Sequence, residues 1–175
     1  MKKVLVVVAS SAFVAGATLG AVSAWGASSS RASCNFLLLP PAAPAGQMAM
    51  FGHVEKLTLT GGRYLMRFDP AWSTSGLTAS IAHKEDTGSA DVPNDNYRIE
   101  EGHRLLTFIV ATNARITVLV NLGTRGTCAT PISVAELSRI VIGKSKVKLF
   151  EPLGSGVWIR VRIDTVKELD QQYQP

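Results

Sequence analysis

The chain has 175 residues with 18 Lys and Arg against 13 Asp and Glu, three His, and a formal net charge of +5. That length suits a single domain with one core. The charge excess is small and spread along the chain, which argues against a nucleic-acid binder that concentrates its basic residues on one face.

Met1-Lys2-Lys3, the apolar run Val4 to Ala21 and the small residues Val22-Ser23-Ala24 have the order of a secretory signal peptide. Cleavage is expected after Ala24, leaving 1–24 as the leader and Trp25 as the first mature residue. The alternative is an uncleaved anchor, the only membrane contact the sequence suggests. Removing Lys2 and Lys3 lowers the net charge to +3. Export leads to oxidising conditions, so Cys34 and Cys128 are expected to pair, with free thiols as the alternative. A loop of about 94 residues closed in this way constrains the unfolded chain by about 4 to 5 kcal/mol.

Residues 25–50, rich in Ala, Ser and Pro, read as a tether interrupted by the apolar segment Phe36-Leu37-Leu38-Leu39. The folded domain is expected over 51–175. Val54 to Thr60 and Arg63 to Asp69 flank Gly61-Gly62, a two-residue hairpin signal, with Asp69-Pro70 as the strand end. Gly76 to Lys84 reads as a helix with Leu77 and Ile81 on its apolar side and Gly88 as its stop. A polar loop follows, then strands at Tyr97 to Glu100, Leu105 to Ala111 and Arg115 to Asn121, with a loop from Gly123 to Pro131. Ser133-Val134-Ala135-Glu136 is a capping box for a helix from Val134 to Ile142. Strands at Lys144 to Phe150, Val157 to Asp164 and Thr165 to Gln171 complete the set. Short strands with one or two helices predict a mainly β fold, a small closed or half-closed barrel with an OB-like Greek key as the preferred form.

Candidate chemistry is sparse. The acidic loop from Glu85 to Asn96 offers oxygen ligands, but an EF-hand needs glycine and glutamate where Ala90 and Asn96 stand, so it reads as a turn-rich loop. His53, His83 and His103 have no metal-ligand spacing, and neither a metal nor a cofactor is expected. A small extracellular hydrolase remains an alternative and would need one of these imidazoles beside a Ser and a carboxylate. No nucleophile elbow is present. Near the C-terminus Val157, Ile159, Val161 and Ile163 alternate with Trp158, Arg160, Arg162 and Asp164, and Lys144, Lys146 and Lys148 alternate on the preceding segment. Paired, these two segments would surround an exposed indole with Lys146, Lys148, Arg160 and Arg162, suited to an anionic envelope polymer. The competing reading is the solvated face of a sheet. Another envelope protein is the second partner considered, met through Phe36 to Leu39 or through Trp72.

Phe68-Asp69-Pro70-Ala71-Trp72 with Gly76 and Ala79, Glu85-Asp86, Val92-Pro93-Asn94-Asp95 with Tyr97, Trp158 and the closing Gln171-Gln172-Tyr173-Gln174-Pro175 resemble a set of small exported actinobacterial proteins of unassigned biochemical function. The resemblance implies export and a compact β-rich domain, with no reaction to carry over. Asn96 departs from it, standing where many of those proteins have an aromatic residue. In physical terms Asp69 is expected to cap the short helix or a turn, Trp72 to cover the barrel end and Tyr97 to lock the Asn94-Asp95 turn. The expectation is therefore a secreted or envelope-associated binding or structural domain, more a non-enzyme than an enzyme.

Overall fold

A computed structural model describes residues 42–100, 102 and 104–173. The strands are β1 (Met48–Thr60), β2 (Arg63–Ser75), β3 (Asn96–Ile99), β4 (Leu106–Asn121), β5 (Thr127–Ile132), β6 (Val157–Arg162) and β7 (Thr165–Gln171); the helices are α1 (Gly76–Thr87) and α2 (Val134–Val141). The sheet order β3-β2-β1-β6-β7-β4-β5 closes on itself through a further β2–β4 pairing, so β1, β2, β4, β7 and β6 form a ring. Counting only those five strands along the chain, neighbours run 1-2-3-5-4-1, and the third and fifth, β4 and β7, are parallel. That is the order of an OB-like Greek-key barrel.

Residue pattern explains the closure. Met66 and Phe68 on β2, Phe108, Val110, Ile116 and Val118 on β4, and Val157, Ile159 and Val161 on β6 recur at alternate positions and fill one interior with Val166 and Leu169 of β7, where a register shift at Lys167 interrupts the alternation. Gly61 and Gly62 both take positive φ in the β1–β2 turn. Glu55 is skipped between the Val54–Phe68 and Lys56–Arg67 pairs, a bulge that bends β1 so that it serves both β2 and β6. In α2, Val134 and Leu137 are buried and join the barrel core.

Several boundaries differ from expectation. β1 opens at Met48, inside the stretch read as tether, because Met48 to Gly52 form a full ladder with Val161 to Val157. β2 runs through Asp69-Pro70 to Ser75, since β3 supplies new partners for Trp72 to Ser75. The two strands expected between Leu105 and Asn121 are one long β4, and the loop holding Cys128 contains β5. α1 ends at Thr87 with Gly88 in the left-handed region, but it buries Ala79 and leaves Leu77 and Ile81 exposed. Its N-cap is Ser75, with no side-chain capping bond. The capping box of α2 is half formed: Ser133 Oγ accepts from the Glu136 amide at 3.1 Å, while the Glu136 carboxylate binds Arg139 and Ser145 instead of reaching back. Lys144 to Phe150 forms no strand and has a single bridge, Leu149 to Val120. Ile163, expected inside, sits in the β6–β7 turn at φ 56°, 87% exposed, because the turn reverses the chain before the alternation can continue.

Candidate functional site: a groove where two barrel strands part

β1 and β2 pair from the Gly61-Gly62 turn as far as Phe51–Ala71, and then separate. Beyond that rung Met50, Ala49 and Met48 stay with Ile159, Arg160 and Val161 of β6, while Trp72, Ser73 and Thr74 stay with Ile99, Arg98 and Tyr97 of β3. Each strand therefore keeps one paired edge, and the two edges that face one another carry no backbone partner among the described residues. Two residues mark the last close rungs before the parting. Pro70 has no N–H to donate to the ladder, and Gly52 lies so close to β2 that a Cβ would overlap the Asp69 carbonyl, the Phe68 ring and Pro70.

The resulting groove has a volume of about 430 Å3, within the range of ligand-binding clefts, and its walls are mostly apolar. Strand alternation gives it two sides. Met48, Met50 and Trp72 continue the interior-facing rows, whereas Phe51, Ala71 and Trp158 belong to the outer rows. Trp72 is 59% exposed and Met48 56%, so much of this apolar surface meets solvent. Trp72 forms a lip of the groove.

The opposite lip is held firmly. Trp158 packs on Phe51 with ring centroids 5.3 Å apart, and its indole N–H donates to Gln172 Oε1 at 2.9 Å. Phe51 is buried between that indole, the Arg98 guanidinium 5.7 Å from its centroid, and the edge of His53. Gly156 leaves room for the Phe51 ring where any Cβ would overlap it. Burial lowers the Arg98 pKa from its usual value, with Glu100 and Glu151 opposing that shift.

The structure distributes the sequence-predicted site residues differently. β6 lies between β1 and β7, so the lysine segment is not its neighbour. Residues 148–150 instead run beside the end of β4, with Asn121 N–H donating to the Lys148 carbonyl and Phe150 N–H to the Leu119 carbonyl. Lys144, Lys146 and Lys148 are exposed there. Arg160 is 4% exposed and is no part of a wet cationic face. It pairs with Glu168 and, at 3.5 Å, with Asp170, while Arg115 reaches the same carboxylates at 2.8 and 3.4 Å. Burial pulls the Arg160 pKa down, Asp170 opposes that shift, and Arg115 adds to it. Arg162 is exposed and has no ion pair among the described residues. Thus only Trp158 of the five candidates lines the groove.

Sequence reading missed Met48, Met50, Phe51 and Ala71, whose roles come from the parting of β1 and β2. The alternating Glu168 and Asp170 were the available sign that Arg160 would be neutralised. Gln171 was also missed: its amide accepts from Leu119 N–H and donates to the Glu151 carbonyl, both at 2.9 Å, tying β7 to β4 and to the segment before β6.

Neither described imidazole assembles a hydrolytic site. His53 meets Glu100 at 2.9 Å without a hydroxyl, and His83 meets Thr87 and the Ser89 carbonyl without a carboxylate. Tyr97 donates to Asp86 Oδ2 at 2.8 Å and so ties β3 to α1 rather than locking the Asn94-Asp95 turn. No group of three or more His, Cys, Asp or Glu residues among the described residues is arranged to hold a metal ion. Cys128 is fully buried on β5 opposite Val120. Cys34, His103, the leader and Phe36 to Leu39 lie outside the described residues. Among those described, no helix is long and apolar enough to cross a membrane.

No family model, curated protein or solved structure matches this chain. Its class is therefore defined by the fold: a closed five-stranded, OB-like barrel with an apolar groove at the parting of two strands.

Proposed function

We propose that this protein is an exported, non-enzymatic binding domain of the cell envelope, and that another envelope protein contacts it at the Trp72–Trp158 groove. In this reading the leader 1–24 is removed and Cys34 pairs with Cys128 outside the cytoplasm, in keeping with the resemblance to small exported actinobacterial proteins. The observation that carries it is the groove itself: two indoles and two methionines line it, and Trp72 and Met48 present much of their apolar area to solvent. A photoreactive residue at position 72 of the full chain, activated in intact cells, should yield a discrete adduct with a wall or membrane protein. The same residue at Thr130, on β5, should not. Equal adducts at both positions, or none at position 72, would refute the reading.

A second reading rests on Lys144, Lys146 and Lys148, three exposed cations without an ion pair among the described residues. They suit an anionic envelope polymer held mainly by charge, without the tryptophan. Changing all three to Gln should then abolish retention on a polyanionic matrix at low salt, while Trp72→Ala leaves it intact. Retention that persists in the triple variant refutes this second reading.

A further inference from the structure

We infer that the groove is a vacant strand position, and that it takes an extended polypeptide segment of a partner protein by strand addition between β1 and β2. The inference rests on the groove being the binding surface and goes on to name the mode and the kind of segment.

The first argument is the backbone. Extrapolating the β1–β2 register past Phe51–Ala71 would pair Met50 with Trp72 and Ala49 with Ser73, yet among the described residues each of these pairs on its far side alone, with β6 or β3. Two facing edges with open N–H and C=O groups need what an added strand supplies. A small apolar molecule would leave those groups unmet. Main-chain bonds of this type give affinity, and pockets for alternate side chains give selectivity.

The second argument is the lining. Successive residues of an inserted strand point to opposite sides, so one set would meet Met48, Met50 and Trp72 and the other Phe51, Ala71 and Trp158. Both sides are mainly apolar, with Ser73 the polar residue of the lining. The fitting segment is therefore apolar at consecutive positions, as in strands covered on both faces, rather than at every second one.

The third argument is charge. Arg160 is neutralised by Glu168 and Asp170, but Arg162, one residue past the Met48–Val161 rung on β6, is exposed and has no ion pair among the described residues. A carboxylate beside the apolar run would meet it. The chain's own apolar segment, Asn35-Phe36-Leu37-Leu38-Leu39-Pro40, has no acidic neighbour and ends in proline, which favours a partner's segment over this one.

The test uses the full mature chain and the synthetic peptide acetyl-Gly-Asp-Val-Leu-Val-Leu-Gly-amide, with binding read by calorimetry and backbone amides by NMR. Saturable binding is expected, with protection of amides among Met48 to Met50 and Trp72 to Thr74. Affinity should fall at least tenfold when the peptide's alternate amides are N-methylated and at least tenfold in Trp72→Ala. In Arg162→Gln it should fall a few-fold. Circular dichroism confirms that each variant is folded. Equal binding of the N-methylated peptide would overturn strand addition while leaving the groove as a binding surface. Binding that Trp72→Ala does not change, or no binding at all, would overturn the inference; the crosslinking at position 72 then decides the broader reading separately. Tenfold tighter binding by a peptide copying residues 35–40 would also overturn it, assigning the position to the chain's own segment.

Discussion

Phe51 faces Ala71 in the final rung of the β1–β2 ladder, and the same Phe51 faces Trp158 across the β1–β6 ladder. One residue thus ends one pairing, continues another, and carries the indole that forms a wall of the groove.

Gly52 sits beside that rung with no space for a Cβ. Gly52→Ala should destabilise the protein by about 1 to 3 kcal/mol through overpacking against the β2 backbone. Thermal unfolding should show a drop of several degrees. An unchanged midpoint would mean that the two strands do not cross this closely.

Arg160 and Asp170 are both nearly inaccessible to solvent. Arg160→Met should cost about 3 kcal/mol, the lower part of the range for breaking a buried pair, because Arg115 still reaches Asp170. Asp170→Asn in the same background should cost less than in the wild type. A double-mutant cycle in denaturant showing strict additivity would remove the coupling.

Glu136 is held below its usual pKa by hydrogen bonds from Arg139 first and Ser145 second. A carboxylate with a depressed folded-state pKa adds stability above its unfolded pKa, about 4.3, and loses that contribution as pH falls through the folded value. Glu136→Gln should therefore destabilise the protein at neutral pH and converge with wild type in acid. Urea midpoints measured across this range that stay parallel would contradict it.

Ser133 caps α2 through the Glu136 amide. Ser133→Ala should cost about 1 kcal/mol at neutral pH, read from the denaturation midpoint, with Ser133→Asp recovering most of it. No recovery would point to a role other than capping.

Ile163 occupies the left-handed region at φ 56° while 87% exposed. A β-branched residue is strained there and loses no packing on replacement. Ile163→Asn is expected to raise stability by about 0.5 to 1 kcal/mol in denaturant titrations. A lower midpoint would show that the isoleucine makes a contact worth more than its strain.

Elements with a local cause were legible in the residues. The Gly61-Gly62 hairpin, the Gly88 stop of α1, the Ser133 cap and the alternating core of β6 each follow from a few neighbouring side chains. Boundaries set by a distant partner were not. Asp69-Pro70 looked like a strand end because proline weakens a ladder, but β3 and the bonded edge of β2 carry the strand on. Lys144 to Phe150 alternates like a strand and finds only one bridge, because β7 and β4 already occupy each other's edges there. The five candidate site residues scattered for the same reason. Alternation assigns a side chain to a face, whereas the neighbouring strand decides whether that face meets water, as Glu168 decides for Arg160.

By itself the sequence determined a mainly β domain with a barrel-forming alternation and the positions of its tight turns, since period and turn chemistry act within a few residues. Only the tertiary structure decided which strand edges were satisfied. Hydrogen bonding along a sheet is settled between strands far apart in the chain, and the parting of β1 from β2 that opens the groove exists only once β6 and β3 have each taken one of them.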